Sequence, residues 1–311
     1  MFLRGAVDTA PRCSIRKKEK IMRAAVLVNA YIRSAGMIRQ AERIKEELQK
    51  RDVDAEIVKN GTFLCGVQEN AVTYPQNFDF VVYLDKDKYL PRMLEKCGLR
   101  LFNRAEAVEL CDDKMLTYIA LAGKGVNLPE TLPAPLCYYP DATLPQGYVA
   151  EIGRRLGYPL VVKKSFGSWG MDVRLAADER ELTAVAEEFR MAPHLYQKRV
   201  GISGEDYRVL VVGGKAIASM KRKNEKDFRS NIEAGGRGSK AQLPETFLKA
   251  AERCAEVLGL DYCGVDLLDE KGEPYVCEVN SNALFNEAER VTGVNVAGIF
   301  AEHMIKKVKN S

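Results

Sequence analysis

The sequence predicts a protein of mixed α/β and α+β class. A doubly wound parallel sheet forms its N-terminal unit, a small α+β lobe follows, and a mixed or antiparallel sheet closes the chain. Three observations carry this. Over residues 22–113 apolar strand-like runs alternate with amphipathic helical runs through short connections, the pattern of βαβ units. A Pro-rich stretch, "NLPETLPAPLCYYPDATLPQGY", interrupts that alternation. Beyond residue 195 strand-like runs follow one another directly, as antiparallel strands do. At 311 residues the chain suits two or three compact units.

In chain order, "RAAVLVNA", "DAEIVKN", "FDFVVYLD" and "LRLFN" read as the strands of the first unit, with helices at "MIRQAERIKEELQKR" and "YLPRMLEKCG". Such sheets bind ligands at the carboxyl ends of their strands, where Asn29, Asp85 and Asn103 stand. "DDKMLTYIALAGKG" reads as a helix that Asp112 or Asp113 caps and Gly123 or Gly125 ends. The middle unit, residues 114–194, adds a helix at "VAEIGRRLG", a strand at "PLVVKK", the turn "SFGSWGMD", a strand at "VRLA" and a helix at "ERELTAVAEEFRM". The last unit, residues 195–311, opens with the strands "LYQKRV", "DYRVLVVGG" and "KAIASMKRK". The helix "PETFLKAAERCAEVLG" then leads to a hairpin turning at Lys271 and Gly272, and the helix "AGIFAEHMIKKVKN" ends the chain.

Hydrophobic residues make up 46% and charged residues 29%, as in an ordinary globular protein. No apolar run approaches the roughly 18 residues of a membrane helix, so no membrane partner is expected. The net charge of +4 is concentrated in the first residues, where Arg4, Arg12, Arg16, Lys17, Lys18 and Lys20 face Asp8 and Glu19. The remainder is neutral, which gives no general footprint for a phosphate backbone, so no nucleic-acid partner is expected. Residues 1–21 lack an apolar core and read as a disordered basic leader: an extension upstream of a natural start at Met22, or a basic targeting peptide. Eight cysteines without a CxxC pair, and only His194 and His303, argue against zinc and for reduced thiols in the cytoplasm.

Four stretches carry chemistry. In "YVCEVNSN" strand alternation puts Val276, Glu278 and Asn280 on one face and Cys277 and Val279 on the other. With Asp266 of "CGVDLL" brought beside them by the hairpin, two carboxylates and an amide oxygen suit magnesium, though a solvated sheet face explains them equally. Lys163 ends the apolar run of "PLVVKK" and precedes a loop with Ser165, Gly167, Ser168 and Gly170. That loop can turn backbone N–H groups onto a phosphate, or be only a turn. Gln197, Lys198, Arg199 and Val200 can offer backbone groups to an adenine edge, with Asp206 for ribose, or form an ordinary strand and loop. "KRKNEKDFRSNIEAGGRG" gathers Lys221, Arg222, Lys223, Arg229 and Arg237, a clamp for phosphates or a solvated basic loop.

Taken together, in order and spacing, these motifs resemble the ATP-grasp ligases, and most of all the RimK-type α-L-glutamate ligases. The likeness runs from about residue 23 to the C-terminus. It is strongest over residues 158–298, where "PLVVKK", "DYRVLVVGG", "DFRSNIEAGG", "CGVDLL", "CEVNSN" and "ERVTGVNVAG" occur in family order. The resemblance implies an ATP-grasp fold: a pre-ATP-grasp domain, a lid lobe and a C-terminal lobe holding the metal site.

The resemblance also implies roles. Lys114 and Lys163, with Gly167, Ser168 and Gly170 of the loop, would contact the phosphates of ATP. Gln197, Lys198, Arg199 and Val200 would meet adenine, and Asp206 the ribose. Asp266, Glu278 and Asn280 would hold two magnesium ions, with manganese able to substitute. Arg229, Ser230 and Asn231 would meet phosphate or substrate, with Arg222 a further phosphate ligand and Arg208 a substrate contact. Arg222, Arg229 and Asn280 would act in catalysis. The implied activity is an ATP-dependent carboxylate–amine ligase working through an acyl phosphate and adding an amino acid such as glutamate to a carboxylate-bearing acceptor, as a monomer or homo-oligomer. A dipeptide or carrier-protein ligase and a catalytically silent nucleotide binder are the alternatives.

Three departures from the family pattern stand out. The hinge reads "QKRV", where relatives often carry an acid after Gln. The loop "FGSWGMD" has few glycines, and its Trp169 is similar to that of amino-acid carrier-protein ligases. "NSNALF" replaces a segment containing Ser-Pro-Gly near the acceptor site, which leaves the acceptor open.

Overall fold

The computed structural model describes residues 21–74, 77–168, 170–232 and 235–310. Residues 1–20 of the expected leader fall outside these residues, as does Trp169. The first unit contains β1 (Arg23–Val28), α1 (Ala35–Gln49), β2 (Asp54–Lys59), a short hairpin of β3 (Gly66–Gln68) and β4 (Ala71–Thr73), β5 (Phe80–Leu84), α2 (Tyr89–Lys96) and β6 (Arg100–Phe102). Its sheet has the order β2-β1-β5-β6, with every pairing parallel. The continuous apolar runs of β1 and β5 follow from burial on both faces. One face packs Leu27, Val81 and Tyr83 against Leu90 and Leu94 of α2. The opposite face packs Val26, Phe80 and Val82 against Ile44 and Leu48 of α1.

Two helices follow, α3 (Ala105–Asp112) and α4 (Lys114–Leu121). The Asp113 side chain caps α4, accepting from the N–H groups of Met115 and Leu116. The helix stops at Leu121, before either glycine expected to end it. The lid sheet is built from β7 (Thr131–Pro133), β8 (Leu160–Lys164), β9 (Val173–Ala176) and β10 (His194–Lys198), in the order β7-β10-β8-β9. Helices α5 (Tyr148–Leu156) and α6 (Glu179–Phe189) share a separate core with it through Ile152, Leu160, Val162, Leu182 and Tyr196.

The strand expected to open the C-terminal lobe at residue 195 therefore belongs to the lid sheet, because it pairs with β7 and β8. Helix α4, expected in the lid, places Leu121 in the core of the following lobe. We propose on this packing that the lid lobe runs from after α4 through β10.

The last unit is a five-stranded antiparallel sheet. It comprises β11 (Glu205–Val212), β12 (Lys215–Lys223), β13 (Arg237–Lys240), β14 (Tyr262–Glu270) and β15 (Glu273–Asn280), in the order β13-β12-β11-β14-β15. Lys271 and Gly272, with φ of 59° and 88°, make the tight turn between β14 and β15. Helix α7 (Glu245–Leu258) covers one face, packing Phe247 and Ala251 against Val209, Val265 and Val276. Across the other face, α8 (Asn286–Thr292) and α9 (Val296–Lys309) join Leu210, Val212 and Met220 to the core of the N-terminal sheet.

That shared core is pinned by Asn103, at the carboxyl end of β6. Its Nδ2 donates to the carbonyls of Tyr262 at 2.7 Å and Ser281 at 2.8 Å. Its Oδ1 accepts from the N–H groups of Asp261 at 2.7 Å and Tyr262 at 3.0 Å. Expected at a ligand crevice, Asn103 instead joins two sheets, and it has no bonding capacity left. Asn103→Ala should cost about 2–4 kcal/mol, because four buried backbone groups lose their partner. Urea denaturation checks this; a midpoint equal to wild type would show that water replaces the amide.

Candidate functional site

The site is written in the strand register. Asp206 of β11 pairs with Arg222 of β12, and Arg208 of β11 pairs with Asp266 of β14. Asp266 in turn pairs with Glu278 of β15. Cross-strand partners share a face, so these five charges form a ladder across four strands. Farther along the same face of β11, Leu210 and Val212 enter the core beneath α9. One sheet face is therefore charged at the cleft end and apolar at the other.

The expected alternation along β15 fails at one place. Val279 pairs with Val265 and Val276 with Leu267, and all four lie in the core under α7. Residue 277 is extra, a β-bulge that puts two residues opposite Asp266. Val276 therefore faces the core, whereas Cys277 joins Glu278 in the cleft, reversing the expected faces of both.

The charges are paired. Arg222 is 1% exposed and donates to both oxygens of Asp206, with its Nη2 2.8 Å from Asp266. Arg208 grips Asp266 with two bonds of 2.7 and 2.8 Å, and Asn280 Nδ2 lies 3.4 Å from the same carboxylate. Burial works to raise the Asp266 pKa, but Arg208 and Arg222 outweigh it and hold the carboxyl below its ordinary value.

The cleft between this face and the lid sheet collects most of the residues singled out in the sequence. Lys114, Lys163, Gly167, Ser168, Gly170, Gln197, Lys198, Arg199, Val200, Asp206, Arg222, Arg229, Ser230, Asn231, Asp266 and Glu278 all line it. Arg208 and Asn280 do not; they line a second cavity against the N-terminal sheet. The two spaces share Ser168, Asn231 and Glu278. Residues 281–284, within "NSNALF", also wall the second cavity, as do Asn29 and Asp85.

Lys163 is buried on β8, with its ammonium 3.9 Å from Cys277 Sγ. Burial opposes its charge, yet Cys277, Tyr118 and Glu278 around it hold its pKa above the ordinary value. Burial pushes Tyr118 up to about 12 and raises the Cys277 thiol too. Lys114 sits 3.4 Å from Glu278 and donates to the Gly167 carbonyl at 3.1 Å. Arg229 donates to the Gly170 carbonyl at 2.6 Å and pairs with Asp227 at 2.7 Å. Gly167 and Gly170 have φ of 139° and 69°, and a Cβ on Gly170 would stand 3.0 Å from Arg229 Cδ. In the hinge, the Gln197 side chain is fixed by Thr131 Oγ1 at 2.9 Å.

The donor set fits magnesium in kind: two carboxylates and an amide oxygen at paired strand positions, all hard oxygen ligands. Among the described residues no three His, Cys, Asp or Glu side chains converge as a metal cluster. Arg208 and Arg222 supply positive charge at Asp266, and they would have to release its oxygens to an ion. Sequence reasoning missed Cys277, Thr131 and Lys86, which donates to Ser168 Oγ at 3.2 Å. Only the bulge, the lid pairing and the approach of the N-terminal unit bring these into place.

A family model described as a RimK-like ATP-grasp domain matches residues 111–304. The chain belongs to the RimK-like ATP-grasp family. It is 36% identical over 233 residues to human (Homo sapiens) N-acetylaspartylglutamate synthase A, covering 74% of this chain and 58% of that protein. It is 38% identical over 228 residues to beta-citrylglutamate synthase B of Danio rerio, covering 72% of this chain and 55% of that protein. The chain thus spans little more than half the length of these relatives. Among solved structures it resembles D-alanine–D-alanine ligase from Bacillus anthracis complexed with ATP, with a TM-score of 0.70 at 19% identity over 93% of this chain and 99% of that one. It also resembles a RimK domain ATP-grasp protein from Sphaerobacter thermophilus DSM 20745, with a TM-score of 0.67 at 21% identity over 91% and 99% of the two chains. These likenesses show the ATP-grasp fold.

The depressed pKa of Asp266 sets a pH dependence. Its ion pairs stabilise the fold fully above the ordinary carboxylate pKa of about 4, and that contribution is lost as pH falls through the lower folded value. Asp266→Asn should therefore cost about 2–4 kcal/mol at neutral pH, with the gap to wild type closing in acid. Denaturant titrations at several pH values measure that gap; a gap independent of pH would contradict the assignment.

Proposed function

We propose that the chain is an ATP-dependent, ADP-forming carboxylate–amine ligase that joins an amino acid such as glutamate to a carboxylate-bearing small molecule or peptide terminus. The observation that carries this reading is the position of Glu278. It lies at the junction of a cleft lined by Lys114, Lys163 and the glycine loop with a second cavity suited to substrates. Both relatives described above are named as synthases of a glutamate compound, which supports the choice of amino acid.

In this reading Gln197, Lys198, Arg199 and Val200 frame the adenine, and Lys114 and Lys163 meet the phosphates. Asp206, with both oxygens turned to Arg222, orients that guanidinium and meets ribose hydroxyls only through its remaining lone pairs. Asp266, Glu278 and Asn280 would hold magnesium, two ions with manganese able to substitute, to neutralise phosphate charge. Arg222 and Arg229, with Ser230 and Asn231, steady the transferring phosphoryl group, and Arg208 meets the acid. The acid's carboxylate attacks the γ-phosphorus and ADP leaves; the amine then attacks the acyl carbon and displaces phosphate. No protein nucleophile is needed, so the chain contributes position and charge. The lid loop keeps water from the acyl phosphate. The described cysteines are free thiols, which supports a reducing compartment such as the cytoplasm.

ADP release from Mg-ATP, measured against amino acids and small acids singly and in pairs, tests the reading. Stimulation by one pair is the expected result. Glu278→Gln should lower turnover at least a hundredfold, roughly 3 kcal/mol in the barrier, without changing the far-UV circular dichroism. Wild-type turnover in that variant would remove Glu278 from the metal site.

A further inference from the structure

A hydrogen-bond relay behind the hinge decides which end of the Gln197 amide faces the cleft. Gln197 of β10 pairs directly with Thr131 of β7, and cross-strand partners share a face. The Gln197 side chain lines the cleft, is 2% exposed, and donates from Nε2 to Thr131 Oγ1 at 2.9 Å. Thr131 Oγ1 in turn donates to the Pro129 carbonyl at 2.8 Å. With its one proton spent there, the hydroxyl offers the glutamine only lone pairs.

A second hydroxyl repeats the constraint. Tyr118 of α4 donates to the Cys277 carbonyl at 2.6 Å, so its oxygen also presents lone pairs. The Gln197 amide hydrogen-bonds to that hydroxyl as well. Turned over, the amide would set its own oxygen against these acceptors and leave buried polar groups unpaired. Nε2 therefore stays at the back of the hinge. No donor from any described residue reaches Oε1, which leaves one free acceptor beside the strand assigned to the base.

We propose that Thr131 is a positioning residue: it locks Gln197 with its carbonyl toward the nucleobase, and this lock makes the cleft select a 6-aminopurine over a 6-oxopurine. The inference rests on the ligase reading, since the cleft must hold a purine nucleotide. The 6-amino group of adenine donates to a carbonyl, whereas the 6-oxo group of hypoxanthine or guanine opposes it, acceptor against acceptor. A site built around one hydrogen bond rejects the analogue that cannot make it, because the buried partner is then left unpaired. Thr131 has no place among the described residues that line the cleft, so it acts only through Gln197. One such bond, made or left unmade, changes affinity roughly tenfold.

The test uses the full chain with magnesium and two nucleotides, ADP and IDP, the second carrying a 6-oxo group in place of the 6-amino group. Calorimetry should show ADP binding roughly tenfold or more tightly than IDP. Thr131→Val keeps the shape but removes the hydroxyl, which frees the amide to turn. It should shrink the preference to about threefold or less, whereas Thr131→Ser should keep it. Thr131→Ala removes the hydroxyl a second way, should valine disturb β7. Gln197→Glu presents acceptors in either orientation, so adding it to Thr131→Val should restore the preference. Equal binding of ADP and IDP by the wild type would overturn the proposal. So would an undiminished preference in Thr131→Val and Thr131→Ala, an equal loss of both nucleotides in them, or no recovery in the double variant. Each of these leaves the ligase reading in place. Failure of the wild type to bind either nucleotide is a different result, and it would overturn the ligase reading and this inference together.

Discussion

The candidate site depends on one extra residue in a strand. Without the bulge at Cys277, β15 would keep strict alternation, and Val276 and Val279 could not both enter the core under α7. Either a valine would face the cleft or Glu278 would be driven into apolar surroundings at the high cost of burying an unpaired charge. The bulge satisfies the core and the cleft together. It also brings Cys277 against Lys163, so that the lysine of the lid sheet meets the bulged strand.

From that strand the charge pattern spreads by register alone. Each carboxylate of the ladder has a guanidinium or ammonium directly across or beside it, which makes burial of so many charges tolerable. The lid obeys the same rule. Lys114 and Arg229 reach the carbonyls of Gly167 and Gly170, so the glycine loop rests on the groups assigned to phosphates. Phosphate oxygens are stronger acceptors than carbonyls, so under the proposed function nucleotide entry would exchange one set of oxygen acceptors for a better one at both side chains.

The three units differ in how firmly they are joined. The N-terminal sheet and the C-terminal sheet share a continuous core, pinned by Asn103. The lid sheet has a core of its own, and its loop touches the N-terminal unit through polar contacts such as Lys86 with Ser168 and Lys88 over the Phe166 ring. A rigid floor and a separately packed cover suit a reaction whose intermediate must be kept from water.

The sequence by itself determined the parallel N-terminal sheet, the hairpin at Lys271 and Gly272, a carboxylate cap at Asp112 or Asp113 and the membership of the family. Each of these rests on local chemistry or on motif order: continuous apolar runs, residues that accept positive φ, a carboxylate before a helix. Tertiary structure decided the rest. The strand at residues 194–198 joined the lid because its partners lie at residues 131–133 and 160–164, a pairing that no local pattern announces. Asn103 became a joint instead of a ligand contact because the chain brings residues 261–281 against it. Cys277 entered the cleft because a bulge leaves no mark in hydrophobic periodicity. Strand pairing and the approach of distant loops are set by the packing of the whole chain, and that packing decides which polar side chains share a space.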